Sequence, residues 1–174
     1  MEKILGGESE VRSWYLDLSE LQEYWGDERA YHYTAPITSV YGLREALRLV
    51  AEEGIENRWQ RHERVAHGLR AGAEGLGLEL NPEPEYWLPS LNVVRLPDGV
   101  GDSELIDHLL GEHGIEIASG LGDLSGEVLR IGCMGHSARP QNVLALIAGL
   151  GDALETAGAD VDPGAGLEAA RETL

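Results

Sequence analysis

A chain of 174 residues, 43% of them hydrophobic, is long enough for one compact domain or for a domain with part of a neighbour. Thirteen basic against 31 acidic residues leave a net charge of −18, a field that repels nucleic acid and anionic membrane surfaces. Cys133 is the only cysteine, which excludes an internal disulfide and a cysteine-based zinc site, and Lys3 is the only lysine.

The acidic, lysine-poor composition fits a protein kept soluble in high salt, and biased genomic composition fits it equally. The start, Met1 to Gly7, is too short and too acidic for a signal peptide. The longest apolar run, Val143 to Leu150, cannot cross a bilayer. The expected compartment is therefore the cytoplasm, with no nucleic-acid or membrane partner.

In chain order, a short helix is predicted over Leu18–Trp25. Thr34 reads as an N-cap, with Pro36 in a first helical turn, for a helix that runs to about Glu53 and ends at Gly54. Val40, Leu43, Leu47 and Val50 give that helix an apolar stripe. The next helix has the clearest pattern. Ile55, Trp59, His62, Ala66, Leu69, Ala73 and Leu76 recur every three or four residues, with Arg58, Arg61, Glu63 and Arg70 expected on the wet face. His62 on such a stripe reads as a packed histidine rather than a ligand.

Beyond Gly77 the period changes. Leu78–Leu80 and Ser90–Leu96 read as strands, separated by a loop with Pro82, Pro84 and Pro89. Asp102 is expected to cap a helix carrying Leu105, Ile106, Leu109 and Leu110. Ile115–Ile117 and Val128–Gly132 read as strands on either side of the Gly120-Leu121-Gly122 loop. A last helix carries Val143, Ile147, Leu150 and Leu154. Residues 157–174 are rich in Gly, Ala and acid, and are expected to be a flexible tail with at most one weak helix. The order predicts an α+β layer with helices on a small, mostly antiparallel sheet.

Arg130 is the residue most suggestive of chemistry. Strand alternation sends Leu129 and Ile131 to one face and Arg130 to the other. A guanidinium in an apolar strand needs an anion, either a bidentate carboxylate ligand or a structural acid. Tyr31 and Thr34 precede a helix N-terminus, a good place for a phosphate, although simple capping by Thr34 with Tyr31 packed nearby accounts for them too. The Gly120 loop and His136 are weak signals, and no metal-ligand spacing, P-loop or nucleophile elbow is present.

Several blocks in register resemble the alanine–glyoxylate and serine–pyruvate aminotransferase family, of the class V, fold-type I pyridoxal-phosphate (PLP) enzymes. They are Ser13-Trp14-Tyr15-Leu16-Asp17, Tyr31-His32-Tyr33-Thr34-Ala35-Pro36, Tyr41 to Leu47, Gly54 to Trp59, Ile115-Glu116-Ile117 and Gly120 to Gly132. The resemblance spans roughly residues 13 to 156. It implies that residues 1–50 are the end of a large PLP-binding domain with its connecting helix. Residues 51–156 would then be the C-terminal small domain, ahead of the tail.

By the same resemblance, Arg130 binds the substrate α-carboxylate, and Tyr31 and Thr34 bind the PLP phosphate of the neighbouring subunit in a homodimer. The substrates would be a small amino acid, alanine or serine, and a 2-oxo acid, glyoxylate or pyruvate. The Schiff-base lysine is expected upstream of Met1, because the surroundings of Lys3 do not resemble the lysine segment. No catalytic residue is therefore assigned, and the chain alone is expected to be inactive. Another class V reaction, such as that of a desulfurase or lyase, is the other enzymatic reading, and Cys133, at an expected buried strand end, gives a desulfurase no support. A non-catalytic dimerisation or partner-binding domain is the alternative outside enzymology.

Overall fold

A computed structural model describes residues 12–27 and 30–174. The chain divides into two compact units, Met1–Leu49 and Val50–Leu174.

In the first unit a 3-10 turn at Trp14–Leu16 leads to α1 (Leu18–Trp25). Asp17 caps α1 by accepting a hydrogen bond from the Ser19 amide at 2.9 Å. An extended stretch then carries Tyr31 to Pro36 into α2 (Ile37–Glu53), whose last residues belong to the second unit. Aromatic rings hold the stretch: Trp14 lies 4.2 Å from His32 and Tyr15 lies 4.9 Å from Tyr33, centroid to centroid. The cap of α2 differs from the expectation. Pro36, not Thr34, offers the first helical carbonyl, to the Val40 amide at 3.0 Å. No residue of α2 is buried, and Val40, Leu43 and Leu47 are each more than half exposed.

Gly54, at φ 80°, breaks α2 from α3 (Ile55–Gly75) in a conformation a side chain would resist. The second unit continues with β1 (Leu80–Asn81), β2 (Leu91–Arg95), α4 (Asp102–His113), β3 (Ala118–Ser119), β4 (Val128–Gly132), α5 (Pro140–Thr156) and α6 (Pro163–Thr173). The sheet order is β1-β2-β4-β3, with every pairing antiparallel. Helices cover one face of this sheet, which makes the unit α+β. The core joins Leu69, Ala73 and Leu76 of α3, Leu105 and Leu109 of α4, and Ile147, Leu150 and Leu154 of α5 to Val94 and Leu129 of the sheet. Each such large side chain contributes about 1.5–3 kcal/mol on burial.

Several expectations need correction. Residues 157–174 are not a frayed tail. Asp162 caps α6 through the Ala165 amide, Pro163 takes the first turn, and Ala170 is fully buried against the core. The small residues that suggested flexibility instead let helices approach closely. A Cβ on Gly166 would stand 2.7 Å from Leu76, and one on Gly75, facing α6 from α3, would stand 2.8 Å from the Ala165 carbonyl oxygen. Arg70 is not on a wet face. It is buried, with Nε donating to Asn92 Oδ1 at 2.8 Å, Nη2 donating to the Leu88 carbonyl at 3.0 Å, and its guanidinium 4.7 Å from the Trp87 ring centre.

The α3 stripe is buried from Ala66 onward, whereas Ile55 and Trp59 at its start are exposed. Ile115–Ile117 is not a strand; the pairing begins at Ala118. Asp102 is the first residue of α4 rather than its cap. No helix among the described residues is long and apolar enough to cross a membrane.

Candidate functional site

β4 places Arg130 as alternation predicts. Leu129 and Ile131 are buried on the helix-covered side, and Arg130 projects from the opposite face, flanked by Val93 of β2 and Ala118 of β3. Its Nε donates to the Ser119 carbonyl at 2.7 Å. Among the described residues it has no carboxylate within ion-pair distance, and its two terminal nitrogens make no hydrogen bond. Two N–H edges of the guanidinium are thus left for an outside acceptor.

The Ser119 backbone that orients Arg130 is itself anchored. The Ser119 hydroxyl donates to Asp102 Oδ2 at the start of α4, and that bond, with the Ser103 amide, holds the Asp102 carboxyl below the usual carboxylate range. Reasoning from sequence missed this support. Its only trace there is an acid at a helix start and a serine just before Gly120. The glycines of the 120–122 loop serve the turn. A Cβ on Gly120 would fall 1.9 Å from the Leu124 carbonyl oxygen, and Gly122 has φ 58°.

In the first unit, Tyr31 Oη and Thr34 Oγ1 lie 2.7 Å apart, both on exposed residues just ahead of the positive end of α2. Two hydroxyls and a helix start suit the oxygens of a phosphate. Between them His32 is buried, neither ring nitrogen has a hydrogen-bond partner among the described residues, and its ring packs against Trp14.

Other candidates resolve into structure. His62 is satisfied at both nitrogens: Nδ1 donates to the Arg58 carbonyl at 2.7 Å, and Nε2 accepts from the Gly135 amide at 3.0 Å. His136 is an exposed residue beside Arg139, 2.9 Å away. Cys133 is buried, and burial pushes its thiol up, the wrong direction for a nucleophile. Lys3 lies outside the described residues.

The sequence model of the aminotransferase class-V family matches residues 1–133, so this chain belongs to that family. Its members are PLP-dependent enzymes. A (S)-ureidoglycine–glyoxylate transaminase of Bacillus subtilis is 42% identical over 166 residues, covering 95% of this chain and 40% of the relative. An alanine–glyoxylate aminotransferase of Callithrix jacchus is 39% identical over 157 residues, covering 88% of this chain and 38% of the relative. The crystal structure of ureidoglycine–glyoxylate aminotransferase from Bacillus subtilis superposes with a TM-score of 0.91 at 40% identity, over 97% of this chain and 43% of that one. The chain thus spans about two fifths of the length of the curated relatives it matches.

The side chains present fit PLP in part. The Tyr31–Thr34 hydroxyl pair suits the phosphate and Arg130 suits a carboxylate. A lysine to hold the cofactor is not found among the described residues.

Proposed function

We propose that this chain is the C-terminal portion of a PLP-dependent aminotransferase that moves an amino group from a small amino acid, alanine or serine, to glyoxylate or pyruvate. Bound PLP supplies the electron sink that makes the substrate α-proton removable. Arg130 binds the substrate α-carboxylate with its two free N–H edges and so fixes which bond at the α-carbon faces the cofactor. Tyr31 and Thr34 donate hydroxyls to the cofactor phosphate, in a homodimer whose subunits share their sites. The lysine that holds the cofactor and moves the proton belongs to the rest of the enzyme, so these 174 residues alone do not transaminate.

The observation that carries this reading is Arg130, a cation set in an apolar strand with an oriented guanidinium and no acid partner among the described residues. Arg130→Lys in the complete enzyme tests it. Lysine keeps the charge and loses the planar fork. A hydrogen bond to a charged group contributes about 1.5–3 kcal/mol, so kcat/KM should fall roughly ten- to hundredfold with PLP content unchanged. Normal kcat/KM with a lowered melting temperature would assign Arg130 to structure instead.

A second reading, a non-catalytic dimerisation or partner-binding domain, draws on α2, whose apolar stripe is exposed at Val40, Leu43 and Leu47. It requires the complete enzyme to be indifferent to Arg130→Lys.

A further inference from the structure

We propose that His108, His113 and Asp152 bind a divalent transition-metal ion, with Zn(II) the common ion that suits them best. His108 and His113 lie on the last turns of α4, and Asp152 comes from α5. Both imidazole Nε2 atoms stand 2.8 Å from one carboxylate oxygen, Asp152 Oδ2. The three potential ligand atoms all lie within 4.8 Å of one another, and the two rings are 5.7 Å apart. A tetrahedral zinc at about 2.0–2.1 Å from each donor would hold them about 3.4 Å apart. Each nitrogen–oxygen pair therefore needs to open by only about half an ångström.

Two imidazoles and one carboxylate suit Zn(II) and its late first-row neighbours, and disfavour magnesium or calcium. The cluster is partly open. The side chains of His108, His113 and Asp152 are 20%, 30% and 53% exposed, which leaves room for water as the remaining ligand. α5 also makes space for the site: a Cβ on Gly149 would come 3.1 Å from the His113 ring, so a glycine there seats the imidazole. Each ring must present its Nε2 lone pair, so the proton it now shares with Asp152 passes through solvent to Nδ1. Neutral rings bind with no net proton release, and protonated rings each release one. The net charge of −18 favours a cation anywhere on this surface, and the three convergent donors fix the place. None of these residues takes part in the proposed transamination.

The test is calorimetric titration of the untagged 174-residue chain with zinc chloride at neutral pH, with far-ultraviolet circular dichroism to check each variant's fold. One equivalent should bind saturably, with magnesium in excess failing to compete. His108→Asn and Asp152→Ala should each weaken binding by about tenfold or more. His67→Asn should leave it unchanged, because His67 is a surface residue paired with Glu63, at 4.0 Å on one helix face. Zinc at a hundredfold excess over the parent's Kd should raise the melting temperature by about 5–10 °C in the parent chain and by about half of that or less in Asp152→Ala. The proposal is overturned by the absence of a saturable equivalent, by undiminished affinity in a folded Asp152→Ala, or by binding lost with His67 instead.

Discussion

α2 and α3 are consecutive helices of 17 and 21 residues, joined at Gly54, and each carries an apolar stripe. α2 buries no residue, whereas α3 buries Val65, Ala66, Leu69 and Ala73, together with Gly68, Gly72 and Arg70. The difference is not in the periodicity. A stripe says that one face prefers cover; what covers it is decided by other chain, often far away in sequence. α3 receives β2, α5 and α6.

The largest contrast should come from one substitution made in both helices. Leu69→Ala removes a side chain that is 1% exposed, and should cost about 2–5 kcal/mol in urea unfolding of the 174-residue chain. Leu43→Ala acts on a residue 59% exposed, and should change stability by less than about 0.5 kcal/mol. Equal losses would show that the α2 stripe is covered in this chain after all.

Glycine to alanine should separate the helices by sign. In α2, a Cβ on Gly42 meets nothing within 4 Å, so Gly42→Ala should stabilise by up to about 1 kcal/mol through helix propensity. In α3, the new Cβ of Gly75→Ala would meet two backbone atoms of α6, the Ala165 oxygen at 2.8 Å and the Gly166 Cα at 2.9 Å. Backbone cannot rotate aside, so this change should cost about 1–2 kcal/mol. Thermal unfolding of both variants reads the signs. A stabilised Gly75→Ala would mean that α6 packs loosely, as the composition of residues 157–174 implied.

Local patterns located α1, the span of α2 and α3, and β4 with Arg130 on its own face, because caps, glycine breaks and alternation act within a few residues. Non-local partners decided the rest. Arg70 sits on the polar side of its stripe by spacing, yet Asn92 and the Leu88 carbonyl, both from the strand region, make that side an interior one. α6 has two glycines, which lower helix propensity, and mostly small side chains, which weaken its apolar stripe. Its real signals were the Asp162-Pro163 start and the small residues Gly68, Gly72 and Gly75 that face it from α3. The same holds at the candidate site. Arg130 could be read from its strand, whereas its orientation by Ser119, and Ser119's own anchor on Asp102, join parts of the chain that only the sheet brings together.

The smallest expected effect lies where the two helices meet. Glu53, the last residue of α2, accepts hydrogen bonds from Arg61 and, at 2.9 Å, from Arg58. Arg61 also donates to the carbonyls of Gly135 and Ala138, at 3.0 and 2.7 Å, so the carboxylate ties the helix junction to the turn after β4. Hydrogen bonding to Arg61 is the largest cause that lowers the Glu53 pKa from 4.5 to about 2. A folded value below the unfolded one means that the unfolded chain binds more protons across that interval. The stabilisation is therefore complete above about pH 4.5 and is lost as the pH falls towards 2. Glu53→Gln keeps the shape and removes the titration, so its stability should fall less steeply than the parent's through that window, with a modest deficit at neutral pH. Glu45→Gln is the control within α2. Its partner Arg48 is 46% exposed, and an exposed pair of this kind contributes little, so the parent's acid slope should persist there. Guanidinium unfolding of the three proteins at a series of pH values gives the slopes. If Glu53→Gln and the parent run parallel below pH 4.5, the junction carboxylate is an ordinary surface group, and the tie between α2, α3 and the Gly135 turn rests on Arg61's carbonyl bonds alone.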